Sequence, residues 1–184
     1  IPENSRNRNQ NLYYNIIDNM MWGDDPKQGM IKGRDFIHPT MKLKFTVPEN
    51  FTLKNSSEAV LAQGTGAAEG SAIIFSGASM KDMSISTYAS EIWKAYKIEA
   101  TLENLQEIQV NNMNAVTGSA VAMINNQSYV ARIVAIHHSA DQAYHFLMLT
   151  PQSKYQALSE GLQRASYSFN KISQSEADQI KGRR

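Results

Sequence analysis

Cysteine is absent from this chain, which rules out a disulfide framework and any thiolate metal site. The absence names no compartment, because it fits oxidising and reducing surroundings alike. Charge of one sign is scarce as well. Eighteen Lys and Arg stand against 17 Asp and Glu, leaving a net charge of +1. That balance is far from the concentrated basic surface that drives nucleic-acid binding, and no nucleic-acid partner is expected. Only five prolines and ten glycines occur, scattered rather than clustered, so general disorder is not expected. Apolar residues make up 42% of the 184 positions, enough to fill the core of one large soluble domain.

Long apolar runs are missing too, with one stretch that could mislead. Residues 108–131 carry no charge over 24 positions, long enough in principle to cross a bilayer. They include Asn111, Asn112, Asn114, Asn125, Asn126 and Gln127, whose side chains would need partners in hydrocarbon. Strands meeting at a turn are expected here, and no membrane span. Residues 1–10 are polar and lack the apolar centre of a signal peptide. The opening Ile1 suggests a trimmed or processed start, with any export signal upstream.

Several elements are legible in the hydrophobic pattern. Leu12, Ile16 and Met20 lie on one helical stripe with Tyr13, Ile17 and Met21 beside it, and Gly23-Asp24-Asp25-Pro26 ends that helix. Its apolar surface is wide for so short a helix. Leu12, Ile16, Ile17 and Met20 are therefore candidates for a contact with another domain or a second copy. Residues 30–37 form a strand candidate. Residues 41–47 alternate Met41, Leu43, Phe45, Val47 against Lys42, Lys44, Thr46, the pattern of a half-buried antiparallel strand. Residues 51–61 are extended with a kink near 55–57, and 71–75 form a short strand. Residues 84–97 form the clearest helix, capped by Ser84 or Ser86, with Ile85, Tyr88, Ala89, Ile92, Trp93 and Tyr96 on one face. Strands are expected over 105–113, 115–124, 128–137 and 143–149, then a helix over 153–166. A last helical turn over 173–180 opens on a Ser173/Glu176 capping-box pattern.

The fold class read from this order is α+β: a mostly antiparallel sheet flanked by helices, with close-set hairpins in the second half. Two divisions are expected, residues 1–29 as an N-terminal helix and junction and residues 30–184 as the main domain.

No complete catalytic constellation is present. The run Gly64-Thr65-Gly66-Ala67-Ala68-Glu69-Gly70 resembles a phosphate loop, yet it opens into the strand-like Ser71-Ala72-Ile73-Ile74-Phe75 rather than a helix. It also lacks the Gly-Lys-Ser/Thr ending of a P-loop, so a hairpin loop is expected. If the strands around Asp141 pair across a four-residue turn, His138 and His145 share a sheet face and His137 points away. Two imidazoles and a nearby acid make at most a weak zinc site, and no ligand spacing supports one. His38, ahead of Pro39, is expected to end a strand with a local hydrogen bond. Adjacent Asp24 and Asp25 cannot face one another as a catalytic pair. Ser76 and Ser79 have no evident activating base, and there is no Gly-x-Ser-x-Gly elbow. Catalytic, metal and cofactor residues are all read as none.

Three phrases carry a resemblance: Trp22-Gly23-Asp24-Asp25-Pro26-Lys27-Gln28-Gly29, then Gly33-Arg34-Asp35-Phe36-Ile37-His38-Pro39, then Leu43-Lys44-Phe45-Thr46-Val47-Pro48-Glu49-Asn50-Phe51. With the closing Ser168-Phe169-Asn170-Lys171-Ile172-Ser173, they resemble the C-terminal region of alphaproteobacterial zinc-dependent proteases of the M48 peptidase family. The resemblance implies a non-catalytic regulatory or substrate-positioning domain of a zinc metalloendopeptidase in the periplasm or cell envelope. Its zinc would sit in an upstream catalytic domain, none of whose His-Glu-x-x-His residues maps here. The implied partners are that protease domain, envelope protein substrates, or a second copy. The alternative is an independent protein-binding module with no part in proteolysis. The Phe45-x-Val47-Pro48-x-x-Phe51 pattern also resembles the αβα sandwiches of the PsbP and Mog1 type.

Overall fold

The computed structural model describes residues 29–55, 59–80 and 82–181. Seven strands form the central sheet: β4 (Phe51–Asn55), β5 (Val60–Gly64), β6 (Ala72–Ser79), β7 (Glu103–Val110), β8 (Met113–Ile124), β9 (Gln127–Ser139) and β10 (Gln142–Pro151). Their order is β4-β5-β6-β10-β9-β8-β7, with every neighbouring pair antiparallel. A small second sheet takes β1 (Met30–Lys32), β2 (Asp35–His38), β3 (Leu43–Thr46) and β11 (Asn170–Lys171), in the order β1-β2-β3-β11. Helix α1 (Ile85–Ala95) covers one face of the large sheet. Helix α2 (Gln152–Tyr167) and the small sheet cover the other. Helix α3 (Gln174–Lys181) closes the chain, with Ala177 fully buried. This is the expected α+β architecture, an antiparallel sheet flanked by helices.

The two faces have different cores. All six phenylalanines are buried, at positions 36, 45, 51, 75, 146 and 169, and all lie on the face shared with the small sheet and α2. Phe45 sits 4.6 Å from Phe75 and 5.0 Å from Phe146, ring centre to ring centre. Such tilted and edge contacts add to the burial of area alone. The α1 face instead uses small and β-branched sheet residues, among them Ala131, Ile133, Ala135 and Ala143, against Tyr88, Ile92, Trp93 and Tyr96. Small side chains let the aromatic face of α1 lie close to the sheet.

The Phe45-x-Val47-Pro48-x-x-Phe51 pattern has a physical meaning here. Phe45, Val47 and Phe51 are all core residues, and Val47-Pro48 carries the chain from the small sheet to the large one. Arg34 holds this crossing: its carbonyl accepts from the Val47 amide at 2.9 Å and its guanidinium donates to the Val47 carbonyl at 3.3 Å.

Several boundaries differ from the sequence reading. Residues 30–37 are two strands, because Gly33 at φ +62° turns β1 back onto β2. Residues 51–61 are likewise two paired strands, β4 and β5. Asn111-Asn112 and Asn125-Asn126 all have positive φ, and each pair forms the two-residue turn of a hairpin. The uncharged stretch 108–131 therefore resolves into strands and turns. Among the described residues no helix is long and apolar enough to cross a membrane.

Both Ser caps are in place. Ser84 Oγ accepts from the Thr87 amide at 3.1 Å, and Ser173 Oγ from the Glu176 amide at 3.0 Å. Ser84→Ala should cost roughly 1 kcal/mol, measured by denaturant unfolding with an unchanged m-value. A loss below about 0.3 kcal/mol would show that packing alone fixes the start of α1.

Candidate functional site

The Gly-rich run is a hairpin connection. A single 3₁₀ turn (Gly66–Ala68) joins antiparallel β5 and β6, and its glycines answer local needs. Gly64 faces the Ala68 carbonyl so closely that a Cβ would lie 1.9 Å from its oxygen, while Gly66 and Gly70 have φ of +55° and +90°. Ser76 and Ser79 lie within β6.

The histidines are not gathered. His38 ends β2, and its Nδ1 accepts from the Met41 amide at 3.0 Å. His145 faces α1, whereas His138 turns to the opposite face and meets Tyr144 and Phe169 edge-on. The expected sharing of a face by His138 and His145 is thus wrong, and the cause is a bulge. Gln142 pairs with Ser139, but Ala143 pairs with His137, so the register shifts by one at the turn. A one-residue shift exchanges faces: His145 pairs with Ala135, which puts His137 in its row instead. Among the described residues no group of three or more His, Asp or Glu could hold a metal.

His145 is nonetheless the centre of a buried polar cluster. Tyr88 Oη lies 2.9 Å from its Nδ1, and Tyr96 Oη lies 2.7 Å from its Nε2. The ring is fully buried, and burial pushes its pKa down to about 3. A neutral imidazole donates from one nitrogen and accepts at the other, so one tyrosine donates to the ring and the other accepts from it. Burial also pushes both phenols well up, with Tyr144 adding at Tyr88 and Tyr88 adding at Tyr96. Three groups that stay neutral and sealed from solvent pin α1 to β10; they offer nothing to a ligand.

The accessible polar site lies on the other face. A cleft of about 340 Å³ runs between α2 and strands β7 to β10, lined in part by Gln106, Thr117, Arg132, Tyr155 and Gln163. Arg132 Nε donates to Tyr155 Oη at 2.9 Å, and Nη1 donates to Thr117 Oγ1 at 3.0 Å. The ion pairs found among the described residues are Lys44–Glu176 and Arg164–Glu160, so no described carboxylate pairs with Arg132. Glu103 pairs in register with Ser119, itself opposite Arg132; it lies two strands away and makes no ion pair with the guanidinium.

Beyond this cleft the sheet is open. Val121 pairs with Val130 and Met123 with Ser128, one and two same-face steps from the Ser119–Arg132 pair. Val121 is 52% exposed and Met123 60%. A second, wider groove of about 620 Å³ lies between the Val47–Phe51 crossing and α2, with Arg34, Glu49, Glu160 and Arg164 on its walls. Its charges are mixed, and Arg164 is already paired to Glu160 at 3.0 Å.

Sequence reasoning assigned no residue to the cleft. One signal was available: Arg132 breaks the long uncharged stretch, and it does so inside the apolar strand Val130-Ala131-Arg132-Ile133-Val134. The contact candidates Leu12, Ile16, Ile17 and Met20, and the pair Asp24 and Asp25, lie outside the described residues.

This architecture, α1 against the sheet and α2 with the small sheet against its other face, is that of the PsbP/Mog1 type. The chain is similar to the cyanobacterial PsbP protein (CyanoP) of Synechocystis sp. PCC 6803, with TM-score 0.59 and 9% identity over 78% of this chain and 95% of that one. It is similar to LpqN of Mycobacterium tuberculosis, a protein involved in cell envelope biogenesis, with TM-score 0.56 and 9% identity over 78% and 87% of the two chains. A protein of Bacteroides thetaiotaomicron VPI-5482 gives TM-score 0.55 and 10% identity over 79% of this chain and 50% of that one. No family model and no curated protein matches the sequence. Identities this low show the fold alone.

These findings overturn the M48 resemblance. The solved structures similar to this chain have the PsbP/Mog1 fold and none points to a protease, and the described residues hold no metal-binding group. The metallopeptidase class, the regulatory role toward a zinc protease, and the zinc and protease domain expected upstream all lose their support. The reason is visible in the phrases that carried the resemblance. Those over residues 33–39 and 43–51 spell β2, β3 and the crossing into β4, which are strand and turn wording without chemistry.

Proposed function

We propose that this chain is a protein-binding module, and that its partner docks on the open corner of the large sheet beside α2. The observation that carries the reading is the exposure of Val121 and Met123 on the sheet face that α2 covers further along, beside buried Val130 and half-buried Ser119, Ser128 and Arg132. An exposed apolar pair bordered by a half-buried cation favours a partner. The occupant is a segment of another protein with apolar side chains and acidic character, because the cation beside the patch, Arg132, is paired to no carboxylate among the described residues. The same reading takes the cell envelope as the place of work, supported by likeness in fold to LpqN, a protein of envelope biogenesis.

Selection of a random-peptide display library against the native protein tests this. Peptides with an acidic residue flanked by apolar ones should be enriched. Their synthetic versions should bind Val121→Asp and Met123→Asp at least about tenfold more weakly, since a carboxylate entering an apolar interface loses hydration without a partner. Both variants should keep the thermal midpoint, because exposed positions tolerate charge. Absence of enrichment, or peptides indifferent to both substitutions, would overturn the reading. So would a concentration-dependent dimer that buries Val121 and Met123, since the patch would then serve a second copy.

A further inference from the structure

We infer that the cleft between α2 and the sheet is a receptor for a single carboxylate, with Arg132 and Tyr155 as its donors. The inference deepens the proposed function, since the carboxylate would be one delivered by the docked segment.

The donor geometry supports it. Arg132 is positioned from two sides, by Tyr155 of α2 and Thr117 of β8. Those bonds use Nε and one N–H of Nη1, leaving Nη2 and the second Nη1 proton for a ligand. Tyr155 accepts the Nε–H through its oxygen, so its own hydroxyl proton remains to be given. Thr117 Oγ1 accepts from Arg132 and donates to the Ile133 carbonyl at 3.1 Å, which fixes the fork from behind. Gln106 and Gln163 on the cleft walls add neutral donors.

The cleft also selects among anions. Among the described residues it presents one cation, Arg132, and its other walls include Ile108, Val134 and Met148. A monoanion with an apolar stem matches that combination, whereas a phosphate dianion would bring a second charge into a partly apolar hollow with nothing to meet it. A planar carboxylate matches the planar guanidinium fork. Either an Asp or Glu side chain or a C-terminal carboxylate would supply it.

The test is an NMR titration of the full chain. The probes are butyrate, the α-methylamide of N-acetyl-aspartate as a side-chain mimic with one free carboxylate, N-acetyl-leucine as a terminal-carboxylate mimic, and inorganic phosphate. Saturable shifts should appear at the Arg132 Nε–H and around Tyr155, with phosphate binding at least about fivefold more weakly. Arg132→Met should abolish the response, Tyr155→Phe should weaken it about threefold to tenfold, and Arg132→Lys should recover only part of it because the fork is lost. If Arg132→Met fails to fold, the wild-type shifts and Tyr155→Phe still decide. Wild-type shifts absent from the Arg132 Nε–H, or equal for phosphate and carboxylates, would overturn the inference. Peptides that bind at Val121 and Met123 without any acidic residue would overturn it while leaving the binding module intact. Carboxylates bound at Arg132 with no peptide docking would do the reverse.

Discussion

Gly64→Ala should destabilise the protein by roughly 3 kcal/mol, at the upper end of what overpacking costs, and lower the thermal midpoint by roughly 6–12 °C. The added Cβ would lie 1.9 Å from the Ala68 oxygen and 2.7 Å from its carbonyl carbon. Both obstacles are backbone, so no rotamer change relieves them. Relief requires moving the 3₁₀ turn, which is held by bonds from the Gly64 amide to the Ser71 carbonyl at 2.8 Å and from the Thr65 amide to the Asn50 carbonyl at 2.7 Å. Gly33→Ala is the matched control: nothing lies within 4 Å of its added Cβ, but φ is +62°. It should cost only about 1 kcal/mol, the strain of a left-handed backbone. Thermal unfolding of both variants separates the two causes. Equal losses would show that the Gly-rich run is needed for backbone conformation and not for close approach. A Gly64→Ala protein as stable as the parent would reopen the question of what these glycines serve.

Acid should act on the fold through His145. Its folded-state pKa is pushed down to about 3 by burial, while the unfolded value is about 6.5. The unfolded chain thus binds a proton that the folded chain refuses. Above about pH 6.5 the ring is neutral in both states and the stability is whole; as pH falls below that toward 3, stability is lost. Over the full window the loss is on the order of 5 kcal/mol. Burial lowers the His138 pKa too, and it adds in the same direction.

The cleanest comparison is the triple variant Tyr88→Phe, His145→Phe, Tyr96→Phe. Replacing every member of a buried hydrogen-bonded set by similar apolar shapes can be nearly neutral at pH 7, whereas His145→Phe alone strands two hydroxyls at about 1–3 kcal/mol each. Between pH 6.5 and 5, where most carboxylates remain ionised, wild type should lose stability faster than the triple variant. The difference should approach one proton per molecule. Parallel curves would mean that His145 does not control the acid response.

The legible parts of the fold were those governed by local periodicity. The face Tyr88, Ala89, Ile92, Trp93 of α1 and the alternation through β3 follow from which side chains meet the core, and the structure buries both sets. Boundaries set by a backbone dihedral were harder. Gly33 splits one apparent strand into a hairpin, and Asn111-Asn112 place the turn inside the strand read over 105–113. The His137–Gln142 region shows why sites resist the same treatment. A single bulge moves His145 from one face to the other, and alternation in the sequence cannot reveal a residue left out of the ladder. The Arg132 cleft needs five elements, β7, β8, β9, β10 and α2, brought together by tertiary contacts. Only the lone charge within an apolar strand hinted at it.

The most direct test of the account is an amide and side-chain shift map of the protein saturated with a display-selected peptide. The account predicts perturbation centred on Ser119, Val121 and Met123, extending to Arg132 and Tyr155 within the cleft. Perturbation confined to the wider groove at Arg34, Pro48 and Glu160, or spread along the outer edge of β7, would contradict it.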